Sequence, residues 1–218
     1  MHRICIIAAL TFLSASRTVA CETEVCLVDP DSLLLPHIIT FDDTRSSSGP
    51  GYLVKDILVM PGAIFGERFA GQSVTSRGDH DQITGAALPP LTIVPGAPGQ
   101  NLSVVFFDGN NVLNGYGAAG FPKRHAQGEG AIAFLFDEDQ SALAFQLRGG
   151  EAGTAQVSFL MRDGRVLTRL ALPPAAEHAF GFIRRSGAAD IAGVLIVNDD
   201  PQGLAIDNLK FGKSPDLS

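Results

Sequence analysis

The sequence predicts an all-β protein, an antiparallel β-sandwich of jelly-roll-like type. Short segments rich in Val, Ile, Leu and Phe follow one another, bounded by Gly, Pro, Asp or Asn, as strands are. Several of them alternate apolar and polar residues, which is typical of a strand with one buried face. No long amphipathic helix separates them, and parallel strands would need long crossover connections. The 24 glycines and 13 prolines are therefore interpreted as turn residues.

The individual strands are predicted from these apolar runs. In "SALAFQLR", Leu143, Phe145 and Leu147 fall on one face, and the segment is expected to turn that face to the core. In "MRDGRV", the pair Asp163-Gly164 predicts a type I′ hairpin turn. The predicted strands are 37–43, 52–60, 63–74, 91–95, 101–107, 111–116, 131–136, 141–148, 155–162, 166–172, 178–184, 191–197 and 204–211.

The chain is predicted to be exported and to hold one folded domain. Residues 1–20 are interpreted as a signal peptide, because Arg3 precedes a short apolar run that ends in small residues. That run is too short to span a bilayer, and no later segment predicts a transmembrane helix. The expected order is an N-terminal segment at 21–36, a single β-sandwich at 37–212 and a tail at 213–218. The predicted location is secreted or periplasmic.

Cleavage after residue 20 would leave two cysteines, Cys21 and Cys26. In an exported chain this spacing favours a small disulfide loop. The alternative is that Cys21 carries a lipid anchor, as in bacterial lipoproteins.

Charge argues against one class of partner. The chain has 16 basic and 23 acidic side chains, a net charge of −7, and shows no basic stripe. Surfaces that follow a phosphate backbone need such a stripe. Nucleic acid is therefore not expected as a partner.

Two loop-rich stretches are the candidate ligand-binding regions, 75–90 and 115–130. The first contains "RGDHD", in which Asp79, His80 and Asp81 combine carboxylates with an imidazole. Such a turn can bind a ligand or a divalent cation, and an exposed acidic turn is the alternative interpretation. Asn114 and Tyr116 border the second stretch and complete the predicted ligand-binding set.

Catalysis has little support in the sequence. No G-x-S-x-G nucleophile motif is present. A hydrolase using Asp79, His80 or the acids at 137–139 is the third functional alternative, after a non-catalytic binding module and a structural or adhesive component of the envelope or matrix. The chain has no Trp and two Tyr, which counts against an aromatic glycan platform and leaves a polar sugar pocket open.

The last predicted strand contains an acid and an amide, Asp207 and Asn208. If the first and last strands are neighbours, Asp42 and Asp43 come to the same corner, and hard oxygen ligands of this kind suit a structural Ca²⁺. The alternative has Asp207 pointing outward and Asn208 bonded to a neighbouring backbone.

The segments "FGERFAGQ", "SALAFQLRGG", "DGRVL" and "FGFIRRSGAADIAGVLIVNDDPQGLAIDNLKF" resemble exported β-sandwich domains of PEP-CTERM-type and related uncharacterised bacterial proteins. The resemblance covers most of residues 37–211. Its closing-strand motif, G-(I/L)-x-(I/L)-D-(N/D)-(I/L/V)-x-F, is matched by Gly203–Phe211. Calcium-dependent carbohydrate-binding modules end in a similar way, and this likeness implies Asp207 as the matching acid and a glycan or cell-surface ligand as the partner. "KSPDLS" lacks the PEP-CTERM sorting tail, so the resemblance does not imply that route of anchoring.

Overall fold

The computed structural model describes residues 21–173 and 177–213. The predicted signal peptide and most of the predicted tail lie outside the described residues.

The first sheet, sheet A, has nine strands. Along the sheet β1, β17, β14, β19, β11, β10 and β3 are successive neighbours, β12 also pairs with β11, and β2 also pairs with β19. Their bounds are β1 Val25–Val28, β2 His37–Ile39, β3 Tyr52–Leu53, β10 Leu102–Phe107, β11 Asn110–Tyr116, β12 Gln127–Gly130, β14 Ala142–Gly149, β17 His178–Arg184 and β19 Leu204–Gly212.

The second sheet, sheet B, has six strands in the order β16, β15, β18, β13, β5, β4. Two further two-stranded ribbons, β6–β9 and β7–β8, lie between β5 and β10 in the chain. The bounds are β4 Leu58–Met60, β5 Ala63–Gly66, β6 Arg68–Phe69, β7 Ser73–Arg77, β8 His80–Thr84, β9 Ile93–Val94, β13 Ile132–Gln140, β15 Ala155–Leu160, β16 Val166–Leu172 and β18 Ile191–Asn198.

The pairing confirms the predicted antiparallel all-β sandwich. Every pair of named strands is antiparallel. The predicted alternation in β14 is also confirmed, because Leu143, Phe145 and Leu147 all join the main core. That core draws on both sheets and contains tilted phenylalanine pairs such as Phe159 with Phe182, whose ring centroids are 5.0 Å apart.

A second, smaller core lies on the other face of sheet B. Ala133, Leu135 and Leu195 pack there against Phe69 and Leu91, which belong to the segment between β5 and β10. This segment therefore covers sheet B as an extra layer, and it carries the β7–β8 hairpin.

Two hairpin turns differ from the sequence prediction. The turn at Asp163-Gly164 is not type I′, because only Gly164 has a positive φ there (84°), and Met161 N–H donates to Arg165 O across a longer loop. A two-residue loop with positive φ at both positions occurs instead at Asp108 (48°) and Gly109 (89°), as a type I′ turn requires. The register explains the difference: Phe107 pairs with Asn110, whereas β15 and β16 meet with a bulge at Leu167, between the pairs Leu160–Val166 and Phe159–Thr168.

The N-terminal segment is tied to sheet A. β1 pairs with β17 from Val25 to Val28, and Cys21 and Cys26 are joined by a disulfide. The Sγ of Cys21 is thus used in the bond, and the same atom cannot carry a lipid in that state.

Candidate functional site

The β7–β8 hairpin, residues 73–84, is a largely exposed part of the covering layer. Arg77 pairs with His80, which leaves Gly78 and Asp79 as the turn. Gly78 has φ of +64°, which the first position of a two-residue II′ turn requires and which glycine adopts without strain. Among the ten residues of the two strands, Asp81 alone is classed as buried.

Three polar contacts attach the hairpin to the sandwich. The Oδ2 of Asp81 accepts the N–H of Ala131 at 3.1 Å. The Nε2 of His80 lies 2.9 Å from the carbonyl oxygen of Asp200, and because a carbonyl only accepts, this nitrogen carries the proton. At the tip, Ala118 N–H donates to Asp79 O at 3.2 Å.

The two predicted loop regions meet at this tip. A Cβ added at Gly117 would lie 2.2 Å from the Asp79 carbonyl oxygen, a distance that no side chain could tolerate. Glycine at 117 is therefore what lets the backbone of the second loop approach the hairpin. The fold brings 75–90 and 115–130 together.

A polar cleft, here called the hairpin cleft, opens along β8 and has a volume of about 570 Å³. Strand β8 forms one wall and the ends of β15 and β18 form the other. Its lining residues are Arg77, His80, Asp81, Gln82, Ile83, Thr84, Thr154, Gln156, Val197, Asn198 and Asp199.

A second cleft, here called the opposite cleft, lies along β7 and has a volume of about 600 Å³. Glu67, Arg68, Gln100 and Asp81 are among its lining residues. Asp81 thus borders both clefts, and the hairpin separates them.

Buried carboxyl groups surround the base of the hairpin. Burial, with a smaller contribution from the nearby Glu67, raises the pKa of Asp81 to about 7, against the opposing effects of the Ala131 N–H, His80 and Arg68. Burial also raises the pKa of Glu67, which forms an ion pair with Arg68. Removal from water disfavours the charged form of each group.

Glu129 of β12 is a third buried acid. It is 4% exposed, and its Oε2 has no hydrogen-bond partner among the described residues. Burial raises its pKa, and Asp79 adds to the effect while His80 and His125 oppose it. The hairpin therefore docks onto a region that favours protonated acids.

The predicted ligand-binding residues differ in burial and in position. Asp79 is exposed at the turn, His80 is half-buried in the hairpin cleft, and Asp81 is buried. The exposed-turn interpretation thus holds for Asp79 and is wrong for Asp81. Asn114 and Tyr116 are both buried, and neither lines the hairpin cleft.

Tyr116 packs beneath the segment that precedes β3. Its hydroxyl donates to Pro50 O at 2.8 Å, and burial raises its pKa to about 12. Asn114 lies two residues earlier on the same strand, and its Oδ1 has no hydrogen-bond partner within the described chain. The Tyr116 side chain is thus used in packing, and Asn114 is buried on the same strand.

The corner predicted for calcium is partly assembled. The predicted neighbourhood of first and last strands is confirmed, since Ile39 pairs with Leu209. Asp42 lies close enough to raise the pKa of Asp207, an effect smaller than that of burial. Asp43 is exposed.

Asp207 and Asn208 form a β-bulge. The register with β14 shifts there, since Gln146 pairs with Asp207 while Ala144 pairs with Lys210. Asn208 has φ of +50°, which asparagine tolerates better than most residues. On the other edge of β19 the partner changes from β11 to β2 around this point, so the bulge lies where one neighbouring strand gives way to another.

The outward orientation expected for Asp207 is wrong, because the residue is 1% exposed. Its Oδ1 accepts the Asn208 N–H at 2.7 Å, and Arg148 Nη2 lies 3.7 Å from its Oδ2. The Asn208 amide donates to the Gln146 side chain at 3.1 Å rather than to a neighbouring backbone. Within residues 21–173 and 177–213, no group of three His, Cys, Asp or Glu side chains is arranged to hold a metal ion.

Sequence reasoning missed Glu67 and Glu129 as members of the hairpin base. Each is a single acid inside an apolar or glycine-rich strand segment, "AIFGERF" and "QGEGAIAF". An acid within a run that predicts a buried strand is a signal for a buried carboxyl group. What that carboxyl group faces depends on the fold.

Comparison of the chain with protein-family models and with curated proteins gave no match. No helix in the part of the chain that the structure describes has the length and apolar character to cross a membrane. The two helical segments found there are three-residue 3-10 turns, Pro30–Ser32 and Arg124–Ala126.

Proposed function

We propose that the protein is an exported, non-catalytic β-sandwich module that binds a glycan or another polar extracellular ligand in the hairpin cleft. One observation carries this proposal: a cleft of about 570 Å³ with a predominantly polar lining lies beside the hairpin that contains "RGDHD". Ligand sites are commonly concave and of this volume. Export rests on the predicted signal peptide and on the disulfide between Cys21 and Cys26.

The chemistry of the lining suits a ligand rich in hydroxyl groups. Gln82 and Gln156 face the cleft with amide groups that can both donate and accept. Thr84 adds a hydroxyl, and Arg77 adds a guanidinium that makes no ion pair with the described residues. A sugar presents hydroxyls that match such groups without needing a stacked aromatic ring.

A glycan array followed by calorimetric titration tests the proposal. Gln82→Ala and Gln156→Ala are each expected to weaken binding by about tenfold, the effect of one lost hydrogen bond of about 1.4 kcal/mol. Gln202→Ala is the matched control, since Gln202 is exposed and does not line the cleft. An empty array together with no co-purifying ligand in native mass spectrometry would rule the proposal out. Release of new reducing ends from a bound glycan would contradict the non-catalytic assignment and favour the hydrolase.

A structural Ca²⁺ held by Asp42, Asp43, Asp207 and Asn208 is a second proposal. The closeness of Asp42 to Asp207 supports it, whereas the Arg148 guanidinium already supplies positive charge to Asp207. Thermal unfolding with and without chelator, together with elemental analysis, distinguishes the two arrangements. Stoichiometric calcium and a lower melting temperature in chelator support the ion, and an unchanged melting temperature supports the hydrogen-bonded corner.

An adhesive or structural role in the envelope is the alternative function, and an exposed aromatic tip supports it. Phe106 and Phe107, at the β10–β11 turn, are 49% and 53% exposed. Exposed neighbouring apolar side chains often mark contact surfaces. Replacing both by Ser in the exporting bacterium should reduce surface attachment if this role is correct, and unchanged attachment and envelope integrity would count against it.

A further inference from the structure

The hairpin has a small apolar attachment to the sandwich. Within β7 and β8, Ile83 is the residue that packs against the second core, and it is itself partly exposed. Polar contacts of Asp79, His80 and Asp81 add to this attachment. A segment with few buried contacts opens at a lower free energy than the core does.

The buried member of this attachment is an acid that faces another acid. Glu67 and Arg68 approach Asp81 from the segment at the end of β5, and His80 approaches from its own strand. Since Arg68 is paired with Glu67, its charge is shared between the two carboxyl groups.

The other elements packed on the hairpin also carry charged groups. Glu129 of β12 faces Asp79, His80 and His125. Asp199 and Asp200 follow β18, and their carboxylates accept backbone N–H groups of residues 152–154. The environment of Asp81 is therefore rich in carboxyl groups on three sides of the hairpin.

We propose that deprotonation of Asp81 releases the β7–β8 hairpin from the sandwich and so weakens ligand binding in the hairpin cleft. The consequence for ligand binding rests on the proposed function, whereas the release itself does not. The geometry supports it because Asp81 borders both clefts, so that a released hairpin removes the wall of the hairpin cleft.

The direction of the effect follows from linkage. In the docked hairpin the pKa of Asp81 is about 7, and a released hairpin would return it to the ordinary value of 3.8. The docked state therefore holds the proton between these values, and docking weakens about tenfold per pH unit as the pH rises towards 7. Above pH 7 Asp81 is ionised in both the docked and the released hairpin, so docking weakens no further.

Hydrogen exchange measured by mass spectrometry tests the release without any ligand. After correction for intrinsic exchange rates, amide protection in residues 73–84 should fall by about 10- to 100-fold from pH 5 to pH 8, while protection in β13 and β18 falls less. Asp81→Asn should abolish the additional fall, because the amide stays neutral and its oxygen can still accept the Ala131 N–H. Asp56→Asn, at an exposed position outside the hairpin, is the matched control and should behave like the unchanged protein.

Two results would overturn the inference: a uniform change of protection along the chain, or the same hairpin response in Asp81→Asn. If Asp81→Asn does not fold, Glu67→Gln carries the test, since removing the facing carboxylate must shrink the pH response, and an unchanged response overturns the inference. A negative hydrogen-exchange result would not contradict ligand binding seen on a glycan array. An empty glycan array would likewise not contradict a pH-dependent release seen by hydrogen exchange. The two proposals can therefore fail separately.

Discussion

Asp81 should make the stability of the whole protein depend on pH. The residue is 5% exposed, and burial raises its pKa from 3.8 to about 7. The folded state thus binds a proton that the unfolded state releases between these values, so stability falls as the pH rises from about 4 to 7 and then levels off. A pKa shift of one unit corresponds to about 1.4 kcal/mol, so the full effect is about 4 kcal/mol as an upper bound.

Asp81→Asn isolates this contribution from the other buried acids. At pH 4 the variant and the unchanged protein should have similar free energies of unfolding, because Asp81 is protonated in the folded state. At pH 8 the variant should be more stable by up to about 4 kcal/mol, since asparagine avoids the burial of a charge and keeps the acceptor for Ala131 N–H.

Urea unfolding followed by far-ultraviolet circular dichroism at several pH values measures the difference. Asp56→Asn, at an exposed position outside the hairpin, provides the matched control and should give a difference that does not change with pH. A constant difference between Asp81→Asn and the unchanged protein from pH 4 to pH 8 would refute the reasoning, as would a loss of stability in the variant at pH 8.

Three further predictions concern stability and covalent state. Phe182→Ala should lower the free energy of unfolding in urea by about 3–5 kcal/mol, because the ring is fully buried. Phe107→Ala should change it by about 1 kcal/mol or less. Equal losses in the two variants would contradict the core assignment. Arg184→Gln should lower the melting temperature by several degrees in calorimetry, since Arg184 makes a two-pronged contact with Asp190 at 2.7 and 3.2 Å, and an unchanged melting temperature would contradict it. Cys21→Ser should lower the free energy of unfolding by about 2 kcal/mol, from the loop-closure relation for so short a ring. In the unchanged protein, mass spectrometry should find alkylation of the cysteines only after reduction. A lipid mass on Cys21 would instead establish the anchor.

The sequence predicted the sandwich because a strand with one buried face alternates apolar and polar residues. This period of two residues is visible within a short segment of the chain. The alternation of Leu143, Phe145 and Leu147 marked a core face that the structure confirms. The common topology of antiparallel sandwiches suggested that the first and last predicted strands are neighbours, and Ile39 pairs with Leu209. Turn type was less predictable. Asp163-Gly164 and Asp108-Gly109 are the same dipeptide but lie in loops of different length, because the register of the flanking strands sets the loop length.

The candidate site was predictable only in part. "RGDHD" drew attention to the correct segment, yet 75–90 was expected to be loop, whereas 73–77 and 80–84 form a hairpin. Its apolar positions are too few to produce a strand signal, since Asp81 alone is buried. Asn114 and Tyr116 were proposed from their position beside a loop, but both are buried, and the hydroxyl of Tyr116 bonds to Pro50, which is more than 60 residues away in the chain.

The sequence by itself determined the all-β class, the core face of β14 and the cysteine pair, because each depends on residues close together in the chain. Tertiary structure alone decided that Glu67, Asp81 and Glu129 gather at the base of one hairpin, and that Asp207 is buried at a bulge where the strand partner changes. The physical reason is that solvation and charge act through space. A carboxyl group acquires its protonation behaviour from the elements packed against it, and those elements come from distant parts of the chain.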